Sequence, residues 1–305
     1  MSADGGRNLQ NSMPNNLISV GELIDQSWTL YRAQFRAFMS LSGWLLIVAI
    51  LNVIALILYP TVGALSLHSS LSHSEITGVL LYIFANFVVS PLLGLGIFVA
   101  MTQAADNTIE KRSFTFKQIL LGTKNRYGSA LIVTVLAACM IILAQIITIG
   151  PGILFVTLGL WINNAVILAL ADILMMLGAV ASLILTIRWT MYYFMAPYAN
   201  VLDGTQKKDA LVRSRTLISG RFWRALLRVV LPKFVFFLFG LFFVTFISLI
   251  IQLLVNGSTG LSIDTSVRIG SLANSILPLL ITILINPLMI LSDVLLYKNL
   301  KGDRT

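Results

Sequence analysis

The sequence predicts an all-α fold, a polytopic helical membrane protein of about six transmembrane helices, on three observations. Apolar residues make up 57% of the 305 and charged residues 11%, against roughly 45–50% and 25% in soluble domains, which is more apolar surface than a water-soluble core buries. The apolar residues fall in runs of about 20, the length of helix that crosses a hydrocarbon core. Lys and Arg gather beside the ends of those runs, as the positive-inside rule requires of a chain threaded through a membrane with those ends on its cytoplasmic side.

Residues 1–17 are polar, rich in Gly and Asn, and lack the apolar stretch of a signal peptide, so a disordered tail is expected there. Ser19-Val-Gly-Glu22 reads as a capping box opening an interfacial helix over about 19–38. Its apolar face carries Ile24, Trp28, Tyr31, Phe35 and Phe38, with Arg32 and Arg36 beside it. The first span follows at about 41–59 and stops at Pro60. After a Ser/His loop the second span runs over about 77–101, where Pro91 cannot donate to the Phe87 carbonyl and demands a kink or a packed neighbour. A second interfacial helix is expected at 113–127 behind a Ser or Thr cap, then a third span at 127–149, broken by Gly150-Pro151-Gly152.

Charge decides the next stretch. The clusters at 111–126 and 207–228 are both strongly basic, so both belong in the cytoplasm and an even number of crossings separates them. One further span at about 172–198 meets that condition, with 150–171 as an outer half-helix or re-entrant piece turning at Trp161-Ile-Asn-Asn164. The third interfacial helix, 206–228, carries Lys207, Lys208, Arg213, Arg215, Arg221, Arg224 and Arg228, with Trp223 among them. Leu211, Ile218, Phe222, Ala225 and Val229 form its apolar face, so it is expected to lie on the bilayer surface and hold anionic lipid or a protein partner. Spans at 233–254 and 267–297, and a short tail at 302–305, complete the chain. This threading puts both termini in the cytoplasm and, of 21 Lys and Arg residues, leaves only Arg268 outside.

Aligning Ser27 with Ser214 also aligns Leu23 with Ala210, Leu30 with Leu217 and Phe35 with Phe222. Each amphipathic segment precedes a pair of spans, so the expected architecture is three units, each a surface helix plus a helical hairpin. Gly21-Glu-Leu-Ile-Asp25 with Trp28 to Phe35, Arg188-Trp189 to Ala196-Pro197, Asp203-Gly204 with Ala210, Ser214, Leu217, Gly220 and Trp223, and Leu296-Tyr297-Lys-Asn-Leu300 together resemble the glycerophosphoryl diester phosphodiesterase membrane domain. The resemblance covers roughly 19–301 and implies a six-span bacterial membrane fold without the phosphodiesterase barrel that some members carry.

Catalytic signatures are absent: no His-Glu-x-x-His, no Gly-x-Ser-x-Gly, no P-loop and no nucleophile with a nearby His, so no enzyme and no cofactor are expected. His68, His73 and Glu75 have the chemistry of metal ligands but spacings of an ordinary polar loop. Cys139 stands alone, which excludes a disulfide framework. The net charge of +9 does not indicate nucleic acid, because the cations adjoin apolar runs without stacking aromatics between them. Arg188 and Asp293 lie deep in their spans, where an Arg that snorkels or a structural Arg188–Asp293 pair is preferred over a gate. Pro278 and Pro287 interrupt the sixth span near Asn274 and Asn286, a pattern shared by transporter midplane sites and by ordinary kinked helices. An alternative reading is a permease subunit, with Asp209-Ala210, Gly220 and Leu231-Pro232 forming a cytoplasmic coupling loop within 203–232 for a partner ATPase.

Overall fold

Six helical stretches are long and apolar enough to cross a membrane: Phe35–Leu58, His73–Ile109, Phe116–Ile162, Ala165–Asp203, Phe222–Val255 and Thr265–Gly302. They come from a computed structural model that describes residues 17–60, 71–257 and 262–302. Residues 1–16 of the tail expected over 1–17, His68 in the first outer loop and the last three residues lie outside that range. Among the described residues there is no strand. The protein is an all-α, multi-pass membrane protein.

The chain enters through α1 (Val20–Ala33) and, after a break at Gln34 with φ −123° and ψ 29°, α2 (Phe35–Ser42). A single 3-10 turn joins α2 to α3 (Leu46–Leu58), which ends at extended Tyr59 because the following Pro60 disfavours a helical residue before it. α4 (His73–Phe84) and α5 (Ser90–Ile109) are one rod joined by a π-turn at Ala85–Val89, which absorbs the donor missing at Pro91. α6 (Phe116–Ile162) and α7 (Ala165–Phe194) form a hairpin; α8 (Ala196–Asp203) and α9 (Lys207–Ile218) are short, and α10 (Phe222–Gly257) and α11 (Ile263–Gly302) form the last hairpin.

Four sequence expectations are corrected. Gly150-Pro151-Gly152 does not break the third span: α6 runs unbroken for 47 residues, about 70 Å at 1.5 Å per residue. One lost hydrogen bond at Pro151 is outweighed by close packing of the two strands of the hairpin. A Cβ at Gly152 would overlap Met175, one at Gly159 would overlap Leu168, and one at Gly178 would overlap the Thr148 carbonyl. Residues 150–171 are therefore the tip of a helical hairpin instead of a half-helix or re-entrant piece, with the turn where it was expected, within residues 161–164. It reverses at left-handed Asn163 (φ 54°), and the Asn164 side chain accepts from the Val166 and Ile167 amides at 2.9 and 3.3 Å.

The three expected surface helices also differ. Residues 113–127 are no separate element, because Thr115 and Gln118 form a capping box from which α6 continues straight into the span. Residues 206–228 are two helices, parted at Gly220, whose φ of 82° ends α9 before Phe222 starts α10. At the first, Ser19 accepts from the Glu22 amide at 3.2 Å, but the Glu22 carboxylate takes the Gln26 amide at 3.0 Å, so the capping box is half formed. α1 stands along α11 instead of lying flat: the Ile18 amide donates to Asn299 Oδ1 at 3.1 Å and the Tyr31 hydroxyl to the Leu284 carbonyl at 3.1 Å, so the two helices run antiparallel. Burial pushes the Tyr31 hydroxyl above its ordinary pKa.

The register of the repeat has a structural counterpart. Aligning Ser27 with Ser214 carries Val20 onto Lys207 and Phe35 onto Phe222, and all four are the first residues of helices. Leu23, Ser27, Ala210 and Ser214 are all fully buried. The middle unit lacks the break that would make its leading segment a helix of its own.

Burial is uneven along the spans. The main core joins Leu23, Tyr31 and Phe38 to Met101, Ala104, Met195, Tyr198, Leu217, Ile218, Leu291, Val294, Tyr297 and Leu300. All these residues lie toward one end, where α1, α8, α9 and the ends of α5 and α11 pack into a helical head. The opposite halves bury mainly small residues such as Ala55, Ala85, Ala144 and Ala171, and leave long rows of Leu, Ile and Phe exposed for the bilayer to cover.

Candidate functional site

The head is the basic end of the molecule. Arg228 donates from Nε to the Ile18 carbonyl at 2.6 Å and from Nη2 to the Leu17 carbonyl at 3.1 Å, tying the chain start to α10. Lys298 bridges Asp106 at 2.6 Å and Glu110 at 2.7 Å, and Lys301 meets Asp203 at 2.8 Å. The hydrogen bond from Lys298 holds the Glu110 carboxyl below its ordinary range, with the charges of Lys298 and Arg112 acting in the same direction. At the far end Arg268 satisfies the last carbonyls of α3, at 3.1 Å to Leu56, 2.9 Å to Ile57 and 3.1 Å to Tyr59.

The residues expected to meet lipid divide. Lys207, Lys208, Arg215 and Arg224 are exposed on the head, and Trp223 is 72% exposed, its ring edge-on to Phe222. Arg213 is half-buried, 3.9 Å from Asp203, and Arg221 is half-buried. The apolar face expected to enter the bilayer turns inward: Ile218, Ala225 and Val229 are buried, and Leu211 and Phe222 half-buried. Ala210, Ser214, Leu217 and Ile218 of α9 are buried against the neighbouring helices, and Ser214 Oγ donates to the Tyr192 carbonyl at 2.6 Å while accepting from the Met195 amide at 3.1 Å. Amphipathicity records that one face is covered, without saying whether lipid or protein covers it. Only the cationic outer face of α9, and Trp223 with Leu227 on α10, remain for a membrane or partner.

Arg188 and Asp293 do not pair. Arg188 is exposed, and its Nε lies 3.4 Å from the Tyr192 hydroxyl with the guanidinium 5.6 Å from that ring. Asp293 is 3% exposed and accepts from the Tyr198 hydroxyl at 2.6 Å and from Lys233 Nζ at 2.9 Å, and Lys233 also stands 3.9 Å from the centre of the Phe194 ring. Lys233 was legible only as the end of a span, because nothing local in the sequence links it to a carboxylate 60 positions away. Asn274 is exposed and Asn286 half-buried with a 4.0 Å contact to Met101 Sδ, so the two asparagines do not converge on a midplane site. Inside the spans the polar side chains pair off: Asn86 donates to Asn52 at 2.8 Å, and Gln145 bonds both Ser182 and Thr186 across the α6–α7 hairpin. Glu75 is used in the capping box at Ser72, and among the described residues no three His, Cys, Asp or Glu side chains gather as metal ligands would.

Fold and site together define a multi-pass helical membrane protein with a packed basic head on one side and sparsely packed spans on the other. Comparison with protein-family models, with curated proteins and with solved structures returns no match.

Proposed function

We propose that this chain is a non-catalytic module of the bacterial cytoplasmic membrane, a relative of the glycerophosphoryl diester phosphodiesterase membrane domain, which binds anionic lipid through its head with both termini in the cytoplasm. One observation carries the reading. Lys207, Lys208 and Arg215 on α9 and Arg224 on α10 are exposed, and Trp223 beside Arg224 is 72% exposed where α10 begins its row of uncovered apolar side chains. An aromatic ring among cations beside an apolar surface suits the level of lipid headgroups. Each Lys or Arg near an anionic leaflet contributes about 1 kcal/mol. The test is reconstitution of the full chain in vesicles of phosphatidylcholine with increasing phosphatidylglycerol, reading the local lipid composition from quenching of Trp223 by brominated chains, with the other tryptophans replaced by Phe. Acidic lipid should be enriched around wild type and not around the Lys207→Gln, Lys208→Gln, Arg215→Gln, Arg224→Gln variant; equal enrichment in both refutes the reading.

The permease reading keeps one support: α9 is a short helix with its inner face on the span ends and its outer face free, as a coupling helix would be. Co-purification of an ATPase with the full chain would decide for it.

A further inference from the structure

A cleft of about 350 Å³ lies at the junction of the head and the spans. Its floor is α5, through Leu92, Leu93, Gly96, Ile97 and Ala100; one wall is Leu41 and Trp44, and the other is Leu120, Thr123 and Tyr127 of α6. Gly96 keeps the floor low, since a Cβ there would come within 3.6 Å of the Tyr127 ring. The Tyr127 hydroxyl donates to the Leu92 carbonyl at 3.0 Å and closes the end away from the head. The lining is apolar apart from the Thr123 and Tyr127 hydroxyls, and the volume is at the lower end of the roughly 300–1,000 Å³ of small-molecule sites, room for one chain instead of a whole lipid.

The head end of the cleft is polar. Lys117, Leu120, Lys124 and Tyr127 follow spacings of 3, 4 and 3, which is one stripe of α6; both lysines are exposed, Lys117 one turn headward of the lining residue Leu120 and Lys124 beside Thr123. On the opposite wall Arg36, Ser40 and Trp44 follow spacings of 4, and Arg36 is exposed one to two turns headward of the lining residues. Between them on the floor, one turn headward of Ala100, the Gln103 amide rests against Gly122, and its Nε2 is buried without a hydrogen-bond partner among the described residues. An apolar slot whose open end carries cations on both walls is complementary to an amphiphile with a negative head.

We infer that this cleft binds one anionic glycerophospholipid, with an acyl chain on the α5 floor and the phosphate held at the head end between Arg36 and Lys117, Lys124 standing two turns further in. The inference rests on the reading that the basic end meets the anionic leaflet, but it concerns a single retained lipid at a site separate from α9 and α10.

Two changes to the purified full chain test it, with native mass spectrometry counting the lipids retained after delipidation and titration with phosphatidylglycerol or with phosphatidylcholine of the same chains. Wild type should retain one phosphatidylglycerol, and Arg36→Gln with Lys117→Gln should lower its preference over phosphatidylcholine by about 30-fold, two cations' worth of attraction. In a Cys139→Ser background, Leu120→Cys blocked with pyrene maleimide after folding should retain neither lipid, whereas the unblocked protein retains one. A blocked protein that still holds one phosphatidylglycerol, or an Arg36→Gln, Lys117→Gln protein with unchanged preference, overturns the inference. The Lys207→Gln, Lys208→Gln, Arg215→Gln, Arg224→Gln variant should keep its single lipid. Loss of that lipid there would assign retention to the head surface and remove the cleft, while failure of the enrichment test alone leaves the cleft standing.

Discussion

Removing Lys233 should destabilise the protein more than removing its partner Asp293. Asp293 is 3% exposed with acceptor bonds from Lys233 and Tyr198, whereas the Lys233 side chain is 26% exposed and its ammonium also rests on Phe194. Lys233→Met leaves a buried carboxylate with only the Tyr198 hydroxyl, the situation in which breaking a buried pair costs about 3–5 kcal/mol. Asp293→Asn leaves a neutral amide that still bonds Tyr198 and a lysine free to turn toward solvent, so about 1.5–3 kcal/mol is expected, the size of a lost charge-assisted hydrogen bond. The double variant should recover part of the Lys233→Met loss, giving an interaction energy of about 1–3 kcal/mol. Reversible unfolding in mixed micelles, followed by circular dichroism for wild type, both single variants and the double, closes the cycle. Asp293→Asn costing as much as Lys233→Met, or strictly additive losses, would refute the argument that the carboxylate is the dependent member.

Three further outcomes are expected. Single cysteines at Gln206 and Ser74 in a Cys139→Ser background should react oppositely with an impermeant thiol reagent in intact cells, Ser74 outside and Gln206 inside; labelling at Gln206 but not at Ser74 inverts the topology. Gly220→Ala should cost about 1–2 kcal/mol, because φ of 82° puts a Cβ against the following carbonyl oxygen, and thermal unfolding checks it against Gly21→Ala, which lies in an ordinary helical turn with open space. The Glu110–Lys298 bond depresses the Glu110 carboxyl, so its contribution is present above the unfolded value of 4.5 and is lost as pH falls through the lower folded value. Being largely exposed, the group should contribute under about 1 kcal/mol, and Glu110→Gln should flatten that acid limb of a stability–pH curve.

Six spans were legible because a helix in a bilayer must be apolar along its whole length, a signal that survives without any knowledge of neighbours. Local breakers were legible where their effect is local. Pro60 stops α3, and Pro91 draws a π-turn at Ala85–Val89. Pro151 misled because its effect was decided elsewhere, by Gly152, Gly159 and Gly178 letting the two hairpin helices approach. The amphipathic segments misled for a related reason. Their apolar faces are real, but Tyr31, Ile218, Ala225 and Val229 are covered by other helices while Trp28 and Phe35 stay exposed, and the sequence period is the same whichever medium covers them. Among the expected site residues, exposure of Lys207, Lys208, Arg215, Trp223 and Arg224 followed from position on the helix. The partners of Asp293 and Asp203 did not, since Lys233, Tyr198, Tyr297 and Lys301 reach them only through tertiary packing.

The tie between the chain start and α11 also sets an order of biogenesis. Ile18 and its acceptor Asn299 are 281 positions apart, and at about 5–20 residues per second a ribosome takes roughly 15–60 s to make that length. For that interval Leu23 and Tyr31 have emerged while the surface of α11 that covers them does not yet exist. Of the helices of the head, α1 is the first made and among the last seated. A chain stalled or truncated before Asn299 should therefore carry its spans and still present an open α1 to chaperones and proteases.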